Sequence, residues 1–322
     1  MKPVVLVVVE LPPWGLDGLR ESFTVHHAPS VEARERTIRE VGAESIRAVM
    51  TNGSIGLDAK TIAALPKLEL ICSSGAGFEN VDLAAAKARG IAVTNGPSTN
   101  DLSVADHAFA LMLGVARGIA ESDQAVKRGD WGRAARPAQW VGLRQARPMV
   151  SGKRLGIIGL GIIGKRIARR AEAGFDMTVA YHNRRRIPDV PYRYADNAIA
   201  LARESDFLMV ACPGGPETRH LVNAAMLDAL GKDGFLINIS RGSVVDSTAL
   251  AAALRQGRIA GAAIDVIENE PHVPPELLTA PNLIISPHLG GRSREAVHAF
   301  MDLVRRNLDA HFAGKPLLTR VA

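Results

Sequence analysis

Residues 159–164 have the sequence Gly-Leu-Gly-Ile-Ile-Gly and directly follow the apolar run 155–158. The segment after them, 165–173, has helical spacing, so the glycines connect a predicted strand to a predicted helix. Such a turn needs glycine because the backbone bends sharply, approaches a bound pyrophosphate without a Cβ in the way, and packs closely on the helix. The amides of the helix N-terminus then face the phosphates. The stretch therefore predicts a dinucleotide-binding βαβ unit.

The end of the next predicted strand, 178–182, indicates which dinucleotide to expect. An acidic residue usually stands about 20 positions after the glycines and binds the ribose 2′-hydroxyl. Here the strand is followed by Asn183, Arg184, Arg185 and Arg186. Guanidinium groups bind a phosphate with paired hydrogen bonds, whereas a carboxylate would repel it. The turn therefore favours NADP(H), with NAD(H) also possible; the alternative interpretation is a solvated basic turn.

Short β-branched runs alternate with longer segments rich in Ala, Leu and Arg along the whole chain, which is typical of parallel α/β sheets. The pattern predicts strands at 3–9, 48–51, 68–72, 91–94, 155–158, 178–182, 207–211, 234–239, 261–264 and 283–286. It also predicts helices at 31–41, 58–64 and 294–312, and a long helix that begins near residue 101. The alternation is lost between 128 and 151 and resumes at 153. The pattern fits a small α/β domain from residue 1 to about 100 and a larger one from about 101 to 285.

The charge of the chain is unevenly distributed. Its 322 residues carry a net charge of +6, and the excess of Lys and Arg lies in segments 127–154 and 165–186. The rest of the chain is acidic in balance. A local positive zone favours anionic small molecules, and an aromatic content of only 4% argues against stacking of nucleic-acid bases. We therefore expect a small-molecule partner and no nucleic acid.

Other features of the composition predict the compartment. No apolar run approaches the length of a membrane span, and the N-terminal run is too short for a secretory signal, so no membrane is expected. Cys72 and Cys212 lie far apart in apolar runs, as buried thiols do in a reducing compartment. No cluster of His, Cys and carboxylates has the spacing of metal ligands. The expectation is a cytoplasmic chain without a metal.

Three polar side chains follow neighbouring predicted strands. Arg241 lies in Asn-Ile-Ser-Arg-Gly, Glu270 in Asp-Val-Ile-Glu-Asn-Glu-Pro, and His288 in Ser-Pro-His-Leu-Gly-Gly. The carboxyl ends of parallel strands meet at one edge of a sheet, so these side chains can converge. Hydride transfer to a carbonyl needs an acid that protonates the developing alkoxide, and His is the usual acid near neutral pH. For His288 alone, a structural role is the alternative.

Taken together, the motifs resemble those of a known family, the D-isomer-specific 2-hydroxyacid dehydrogenases, over nearly the whole chain. The resemblance includes Gly75-Ala76-Gly77-Phe78-Glu79-Asn80-Val81-Asp82, Val104-Ala105-Asp106, the glycine turn, Cys212-Pro213, Ser240-Arg241-Gly242, Asp265-Val266, Glu270-Pro271 and Pro287-His288. Within the family the chain is most similar to the glyoxylate/hydroxypyruvate reductase branch, through Thr94-Asn95-Gly96-Pro97 and Asn183-Arg184-Arg185. The implied activity is NADPH-preferring reduction of small 2-oxo acids to D-2-hydroxy acids. Substrates of the phenylpyruvate or 2-ketogluconate type, and an NAD(P)H-sensing interaction protein, are the alternatives.

The resemblance also implies a role for each site residue. His288 would be the general acid, Glu270 its hydrogen-bonded partner and Arg241 the clamp for the 2-oxo acid, whose carboxylate would also meet backbone amides near Ala76 and Gly77. The implied cofactor-binding residues are Gly159, Gly161, Ile162, Ile163, Gly164, Asn183, Arg184, Arg185, Cys212, Pro213, Ile239, Asp265 and Gly290. Among them, Asp265 would hold the nicotinamide carboxamide. Trp140 would wall the substrate pocket of the neighbouring subunit or, alternatively, pack a dimer arm.

The expected architecture follows from the same resemblance. It consists of two Rossmann-like, doubly wound parallel-sheet domains with a cleft between them. Residues 1–100 and 286–322 would form a discontinuous substrate-binding domain, and residues 101–285 the NAD(P)-binding domain. A homodimer through the cofactor domain is also implied.

Overall fold

Two parallel sheets organise the chain, in a computed structural model that describes residues 2–133 and 146–322. The first sheet belongs to a unit formed by Met1–Asn100 and Gly291–Ala322. The second belongs to a unit formed by Asp101–Gly290. Helices connect nearly all successive strands in each unit, so both sheets are built mainly from βαβ crossovers. The predicted fold class of two parallel-sheet α/β domains is confirmed.

The first unit contains a five-stranded sheet of order β2-β1-β3-β4-β5. Its elements are β1 (Val4–Val7), α1 (Pro13–Arg20), β2 (Thr24–His27), α2 (Val31–Val41), β3 (Ile46–Asn52), α3 (Ala59–Ala63), β4 (Leu70–Ser74), α4 (Leu83–Ala88) and β5 (Ala92–Thr94). Side chains of β1 alternate between two hydrophobic cores, with Val5 and Val7 in one and Leu6 in the other. A parallel sheet needs both cores because helices cover both of its faces.

The second unit contains a seven-stranded sheet of order β12-β11-β10-β9-β6-β7-β8. Its elements are α5 (Asp101–Arg117), α6 (Ile119–Lys127), α7 (Asp130–Arg133), β6 (Arg154–Ile158), α8 (Ile162–Phe175), β7 (Thr178–His182), β8 (Arg193–Tyr194), α9 (Ala198–Arg203), β9 (Phe207–Val210), α10 (Ala224–Leu230), β10 (Phe235–Asn238), α11 (Ser247–Arg255), β11 (Gly261–Ile264), α12 (Pro275–Leu278) and β12 (Leu283–Ile285). The strand order reverses at β6, which has β7 on one side and β9 on the other. Ligands of such sheets bind at the carboxyl ends of the strands at this reversal.

The long helix α5 covers one face of the second sheet. Its residues Val104, Ala108, Met112 and Val115 are buried in the same core as Ile157 of β6. No single helix of the described residues is long and apolar enough to cross a membrane. Within residues 2–133 and 146–322, the pair α5 and α6 meets that length and composition when taken together, and the chain bends by 63° between them.

The C-terminal segment completes the first unit. Helix α13 (Arg294–Phe312) is capped by Ser293, whose hydroxyl accepts the Ala296 amide at 3.2 Å. Its apolar side chains Met301, Val304 and Leu308 enter the same core as β1. Beyond the helix, the Val321 amide donates to the Val93 carbonyl at 2.8 Å. The sequence placed the start of this segment at 286, whereas the structure keeps residues 286–290 in the second unit, because the amides of His288, Leu289 and Gly290 bind Asp265 there.

An ion pair joins Arg154, the first residue of β6, to Asp206, the residue before β9, and it provides a test of how stability depends on pH. Asp206 accepts three hydrogen bonds from Arg154, from its amide at 2.8 Å, from Nε at 3.1 Å and from Nη2 at 2.7 Å. The Arg154 hydrogen bond lowers the pKa of the Asp206 carboxyl. Its stabilisation is therefore present above the pKa of the unfolded chain and is lost as the pH falls through the lower folded pKa. We expect Asp206→Asn to reduce the free energy of unfolding by about 1–2 kcal/mol at neutral pH.

Urea unfolding of both proteins, from neutral pH down to the acid limit of folding, checks this expectation. The difference in the free energy of unfolding between wild type and Asp206→Asn should shrink as the solution becomes acidic. Asp302→Asn is the matched control, because the Asp302–Arg306 pair is 66% and 58% exposed and should contribute below ~0.5 kcal/mol. A difference that stays constant with pH would remove the ion pair as its cause.

Candidate active site

The glycine turn lies at the carboxyl end of β6, where the strand order reverses. Gly159 has a φ of +100°, and a Cβ there would lie 2.4 Å from the Cys212 amide nitrogen at the end of β9. A Cβ on Gly164 would lie 2.3 Å from the Gly159 carbonyl oxygen, so this glycine lets α8 pack on the turn. A Cβ on Gly161 meets nothing within 4 Å. Gly159 and Gly164 thus allow close backbone contacts within the turn, whereas Gly161 faces open space.

This arrangement fits a bound pyrophosphate. Helix α8 begins at Ile162, so the amides of its first turn, including those of Ile162 and Ile163, point out of the helix N-terminus beside the open Gly161. Free amides and the helix dipole attract phosphate at such a position. A Cβ at Gly161 would occupy the space through which the phosphates approach. The residues of the turn are therefore suited to a dinucleotide.

The basic turn after β7 is tied to the glycine turn. The Leu160 amide donates to Asn183 Oδ1 at 2.7 Å, and the Tyr194 hydroxyl donates to the Asn183 carbonyl at 3.0 Å. The side chains of Arg184 and Arg185 are exposed, and Arg184 pairs with Glu217 at 2.5 Å. Asn183 thus supports the phosphate turn with its oxygen, while the two arginines face solvent.

The residues expected along the cofactor site follow β9 and β10. The Cys212 carbonyl accepts the Ser240 hydroxyl at 2.6 Å, and the Pro213 carbonyl accepts the Thr218 hydroxyl at 2.8 Å. Ile239 is buried. Burial raises the pKa of the Cys212 thiol to about 11, so this thiol is protonated at neutral pH and is not a nucleophile. These residues shape the strand ends and supply no reacting group.

Arg241 follows β10 in a turn held by a buried amide. The fully buried Asn238 donates from Nδ2 to the Arg241 carbonyl at 3.1 Å and accepts the Ser240 amide at 3.1 Å. A Cβ on Gly214 would lie 2.8 Å from Arg241 Cγ, so glycine leaves the room that the arginine stem occupies. The hydrogen bonds of Asn238 therefore fix the backbone from which the half-buried Arg241 side chain extends.

The turn of Arg241 is in direct backbone contact with the loop of Glu270. A Cβ on Gly242 would lie 1.8 Å from the carbonyl carbon of Ile267. The Ile267 amide in turn donates to Glu270 Oε1 at 3.2 Å. Arg241 and Glu270 therefore stand on two loops that touch.

Glu270 and His288 form a hydrogen-bonded pair. His288 Nδ1 donates to Glu270 Oε2 at 2.8 Å. A carboxylate can only accept, so the proton lies on Nδ1, and Nε2 is the ring nitrogen left for a substrate. The side chains of His288 and Glu270 are 36% and 30% exposed, which leaves the ring within reach of a small molecule. The hydrogen bond to the carboxylate also fixes the orientation of the ring.

The backbone at His288 is held by Asp265. His288 has a φ of +54°, a conformation that residues other than glycine adopt infrequently. Its amide donates to the Asp265 carbonyl at 2.8 Å. The buried Asp265 carboxylate accepts the amides of Leu289 at 2.9 Å and Gly290 at 2.8 Å. The Asp265 carboxylate is thus hydrogen-bonded to the loop that carries His288, and Gly290 belongs to that loop. The nicotinamide role expected for Asp265 stays a prediction.

In the first unit, the loop after β4 presents backbone amides. Its three carbonyls are held by the rest of the unit: that of Gly75 by the Gly96 amide at 2.6 Å, that of Ala76 by Asn95 Nδ2 at 2.8 Å, and that of Gly77 by the Ser73 hydroxyl at 2.7 Å. Among the described residues, the amides of Ala76 and Gly77 have no acceptor. With carbonyls tied down and amides open, the loop is suited to an anionic oxygen.

Sequence reasoning missed two groups that shape the site, and one expected residue lies outside the described structure. Buried Asn238 holds the turn of Arg241, and His107 contacts Asp265. His107 shares an apolar helix face with Val104 and Leu111. A polar residue on such a face indicates that its side chain has a polar partner in the fold. Trp140 lies outside the described residues. No three His, Cys, Asp or Glu side chains of residues 2–133 and 146–322 are grouped to hold a metal.

Comparison with known proteins identifies the family. The model of the family described as D-isomer specific 2-hydroxyacid dehydrogenase, NAD binding domain, matches residues 109–290. The chain belongs to the D-isomer specific 2-hydroxyacid dehydrogenase family. The matched residues lie within the second unit and include the glycine turn, Arg241, Glu270 and His288. The chain is therefore an NAD(P)-dependent oxidoreductase, and its predicted family is confirmed.

Relatives within the 2-hydroxyacid dehydrogenase family include reductases from plants and bacteria. The chain is 46% identical to hydroxyphenylpyruvate reductase from Plectranthus scutellarioides over 89% of each chain. It is also 46% identical to glyoxylate/hydroxypyruvate reductase A from Arabidopsis thaliana, over 88% of this chain and 87% of the relative. A crystal structure of the NADPH-dependent glyoxylate/hydroxypyruvate reductase from Sinorhizobium meliloti, in complex with NADP and malonate, is similar with a TM-score of 0.89 and 37% identity, and the match covers 100% of this chain and 97% of that one.

Proposed function

We propose that this 2-hydroxyacid dehydrogenase reduces small 2-oxo acids, glyoxylate and hydroxypyruvate, with NADPH as its preferred hydride donor. Chiral products would be D-2-hydroxy acids. The observation that carries the proposal is the His288–Glu270 hydrogen bond, which leaves Nε2 of a half-buried histidine for a substrate oxygen. The reductases from Arabidopsis thaliana and Sinorhizobium meliloti support the choice of substrate.

In this mechanism, His288 moves the proton. When bound, the reduced nicotinamide supplies the hydride that forms the new C–H bond at the carbonyl carbon. His288 Nε2 gives its proton to the carbonyl oxygen as negative charge develops there. The imidazolium becomes a neutral imidazole whose Nδ1–H is still donated to Glu270. Solvent then returns the proton to Nε2.

Other groups hold the substrate in this proposal. The Arg241 guanidinium would bind the carboxylate and the carbonyl oxygen together, because its planar fork matches two oxygens at once. Such a clamp orients the carbonyl carbon and contributes to the rate through proximity. On the first unit, the open amides of Ala76 and Gly77 are the groups we propose for the substrate carboxylate.

The basic turn carries the proposed preference for NADPH. Arg184 and Arg185 are exposed, and no carboxylate follows β7 directly to bind a ribose hydroxyl. The Arg184 side chain is 83% exposed and its partner Glu217 is 72% exposed, so a 2′-phosphate can replace that weak pair. The Leu160 amide holds Asn183 against the glycine turn, which supports the proposed role of the adjacent arginines in binding a ribose 2′-phosphate.

Steady-state oxidation of NADPH and NADH with glyoxylate and hydroxypyruvate tests the proposal. We expect turnover of both acids and a kcat/KM for NADPH at least about tenfold above that for NADH, which corresponds to ~1.4 kcal/mol. The double variant Arg184→Ser, Arg185→Ser should lose this preference while the kcat/KM for NADH stays unchanged. Arg203→Ser, which removes one exposed positive charge at the end of α9, is the matched control. A wild-type preference for NADH would contradict the role of the basic turn.

Two further substrates belong in the same assay. Hydroxyphenylpyruvate reductase is as similar to this chain as the Arabidopsis thaliana reductase, so reduction of an arylpyruvate is the second candidate activity. A higher kcat/KM for phenylpyruvate than for glyoxylate would favour arylpyruvate reduction. A higher kcat/KM for 2-ketogluconate than for glyoxylate would favour 2-ketogluconate reduction. Absence of turnover with all four acids would favour the NAD(P)H-sensing interaction protein.

The assembly and location of the enzyme complete the proposal. Helices α6 and α7 of the second unit expose the apolar side chains Ile119, Val126 and Trp131. Exposed apolar side chains in one region are typical of an interface, which supports a homodimer through this unit. Cys72 and Cys212 are both free thiols, which supports a location in a reducing cytoplasm.

A further inference from the structure

His107 of helix α5 lies beneath the loop that carries His288. Its side chain is 23% exposed, and its Nε2 lies 3.0 Å from Asp265 Oδ1 and 2.9 Å from the Ser286 hydroxyl oxygen. Its hydrogen-bond partners are thus Asp265 and Ser286, and not Glu270 or His288. His107 takes no direct part in the proposed proton transfer, although it contacts the carboxylate that holds the loop of the proposed acid.

The hydrogen bonds around Asp265 determine where His107 carries its proton. The Ser286 hydroxyl donates its one hydrogen to Asp265 Oδ1 at 2.5 Å. The carboxylate itself can only accept. His107 Nε2 therefore faces two oxygens that have no hydrogen to give, so Nε2 must be protonated. His107 is a donor to a carboxylate that is only 3% exposed.

The same carboxylate determines the backbone around His288. Oδ1 accepts the Leu289 amide and Oδ2 the Gly290 amide, while the Asp265 carbonyl accepts the His288 amide. These bonds hold a φ of +54° that histidine seldom adopts. A buried carboxylate with several donors is costly to leave partly unsatisfied, so removal of one donor loosens the whole set.

Packing restricts the same loop. A Cβ on Gly290 would lie 2.9 Å from Asp265 Oδ2 and 3.5 Å from Cδ2 of the His107 ring. The ring therefore supports the loop sterically as well as through Nε2. Rotation of the Asp265 carboxylate away from His107 would break its hydrogen bonds to the amides of Leu289 and Gly290.

We propose that His107 is a positioning residue for the proton-donating histidine and acts through Asp265. The inference rests on the proposed role of His288. His107 Nε2–H orients the Asp265 carboxylate, the carboxylate orients the amides of Leu289 and Gly290, and the backbone then aims the His288 ring between Glu270 and the substrate.

Two variants separate the hydrogen bond from the bulk of the ring. His107→Phe keeps a ring and removes the donor, whereas His107→Gln retains an N–H at about the reach of Nε2. His26→Phe on β2 of the first unit is the matched control, since His26 lies in neither network. Hydrogen–deuterium exchange of the 286–292 segment is measured on the full-length protein without cofactor. The kcat for glyoxylate, the primary deuterium isotope effect on kcat and the Kd of NADPH are measured alongside.

In His107→Phe we expect the amides of 286–292 to exchange at least about tenfold faster than in the wild type. The kcat should fall by about tenfold or more, with a larger isotope effect. The Kd of NADPH should stay within about twofold of wild type. His107→Gln should restore both the exchange rate and most of kcat. Wild-type exchange and kcat in His107→Phe would overturn the proposal, as would an equal loss in His107→Gln. If the wild-type enzyme turns over no 2-oxo acid, the proposed function fails, and the exchange experiment still decides whether His107 holds the loop.

Discussion

His288→Gln is expected to lower kcat for glyoxylate reduction by about 10²–10⁴-fold, the usual contribution of a positioned general acid. Glutamine can place an N–H near the position of Nε2 and so can still hydrogen-bond to the substrate oxygen. It cannot release a proton as the alkoxide forms. The loss should therefore fall on kcat, with the Kd of NADPH within about twofold of wild type, since the glycine turn is untouched.

Stopped-flow NADPH oxidation and fluorescence titration of NADPH measure the two quantities separately. His272→Gln is the matched control, because this residue lies two positions from Glu270 on an exposed part of the same loop. Turnover of His288→Gln within about threefold of wild type would remove His288 as the acid. A parallel loss of NADPH binding would indicate a collapsed site and not a missing proton donor.

The second large effect is expected at Arg241. Arg241→Lys keeps the positive charge but loses the planar fork that engages two oxygens at once. We expect kcat/KM for glyoxylate to fall by about 30–1000-fold, or ~2–4 kcal/mol, as when one partner of a hydrogen-bonded charge pair is truncated. The KM for the 2-oxo acid should rise, because the carboxylate loses part of its binding.

Initial-rate kinetics with glyoxylate at saturating NADPH check this expectation. Arg255→Lys is the matched control, since Arg255 binds the Glu276 carbonyl and the Thr279 hydroxyl at the surface, away from the strand ends. If Arg241→Lys leaves the KM unchanged and lowers only the thermal stability, the arginine supports the fold and does not bind the substrate.

The parts of the site that were predictable from sequence are those with strict local requirements. The turn at 159–164 needs glycine for its bend and its contacts, and the structure shows those contacts at Gly159 and Gly164. Helix 31–41 was predictable to the residue because Ser30 caps it and Gly42 ends it. Side chains that follow strands were predictable as a group, since parallel strands end at the same edge of a sheet.

Contacts made across the fold were not predictable in the same way. The bond from His107 to Asp265 joins residues 158 positions apart in the chain, and no local pattern specifies it. The sequence did not predict β2 or β8 because both are short edge strands with partly exposed side chains, which weakens the alternation of apolar residues. Residues 286–290 follow the last strand and belong to the second unit through hydrogen bonds to Asp265, which no local pattern specifies.

The close approach of Gly242 to Ile267 has a consequence for engineering this enzyme. The two loops meet backbone to backbone, and even a methyl group at Gly242 would lie 1.8 Å from a carbonyl carbon. An insertion or deletion in either loop would therefore displace the other, and the arginine and the glutamate would lose their positions together. Redesign of substrate range should keep the lengths of 239–244 and 265–271 and vary only the side chains that project from them.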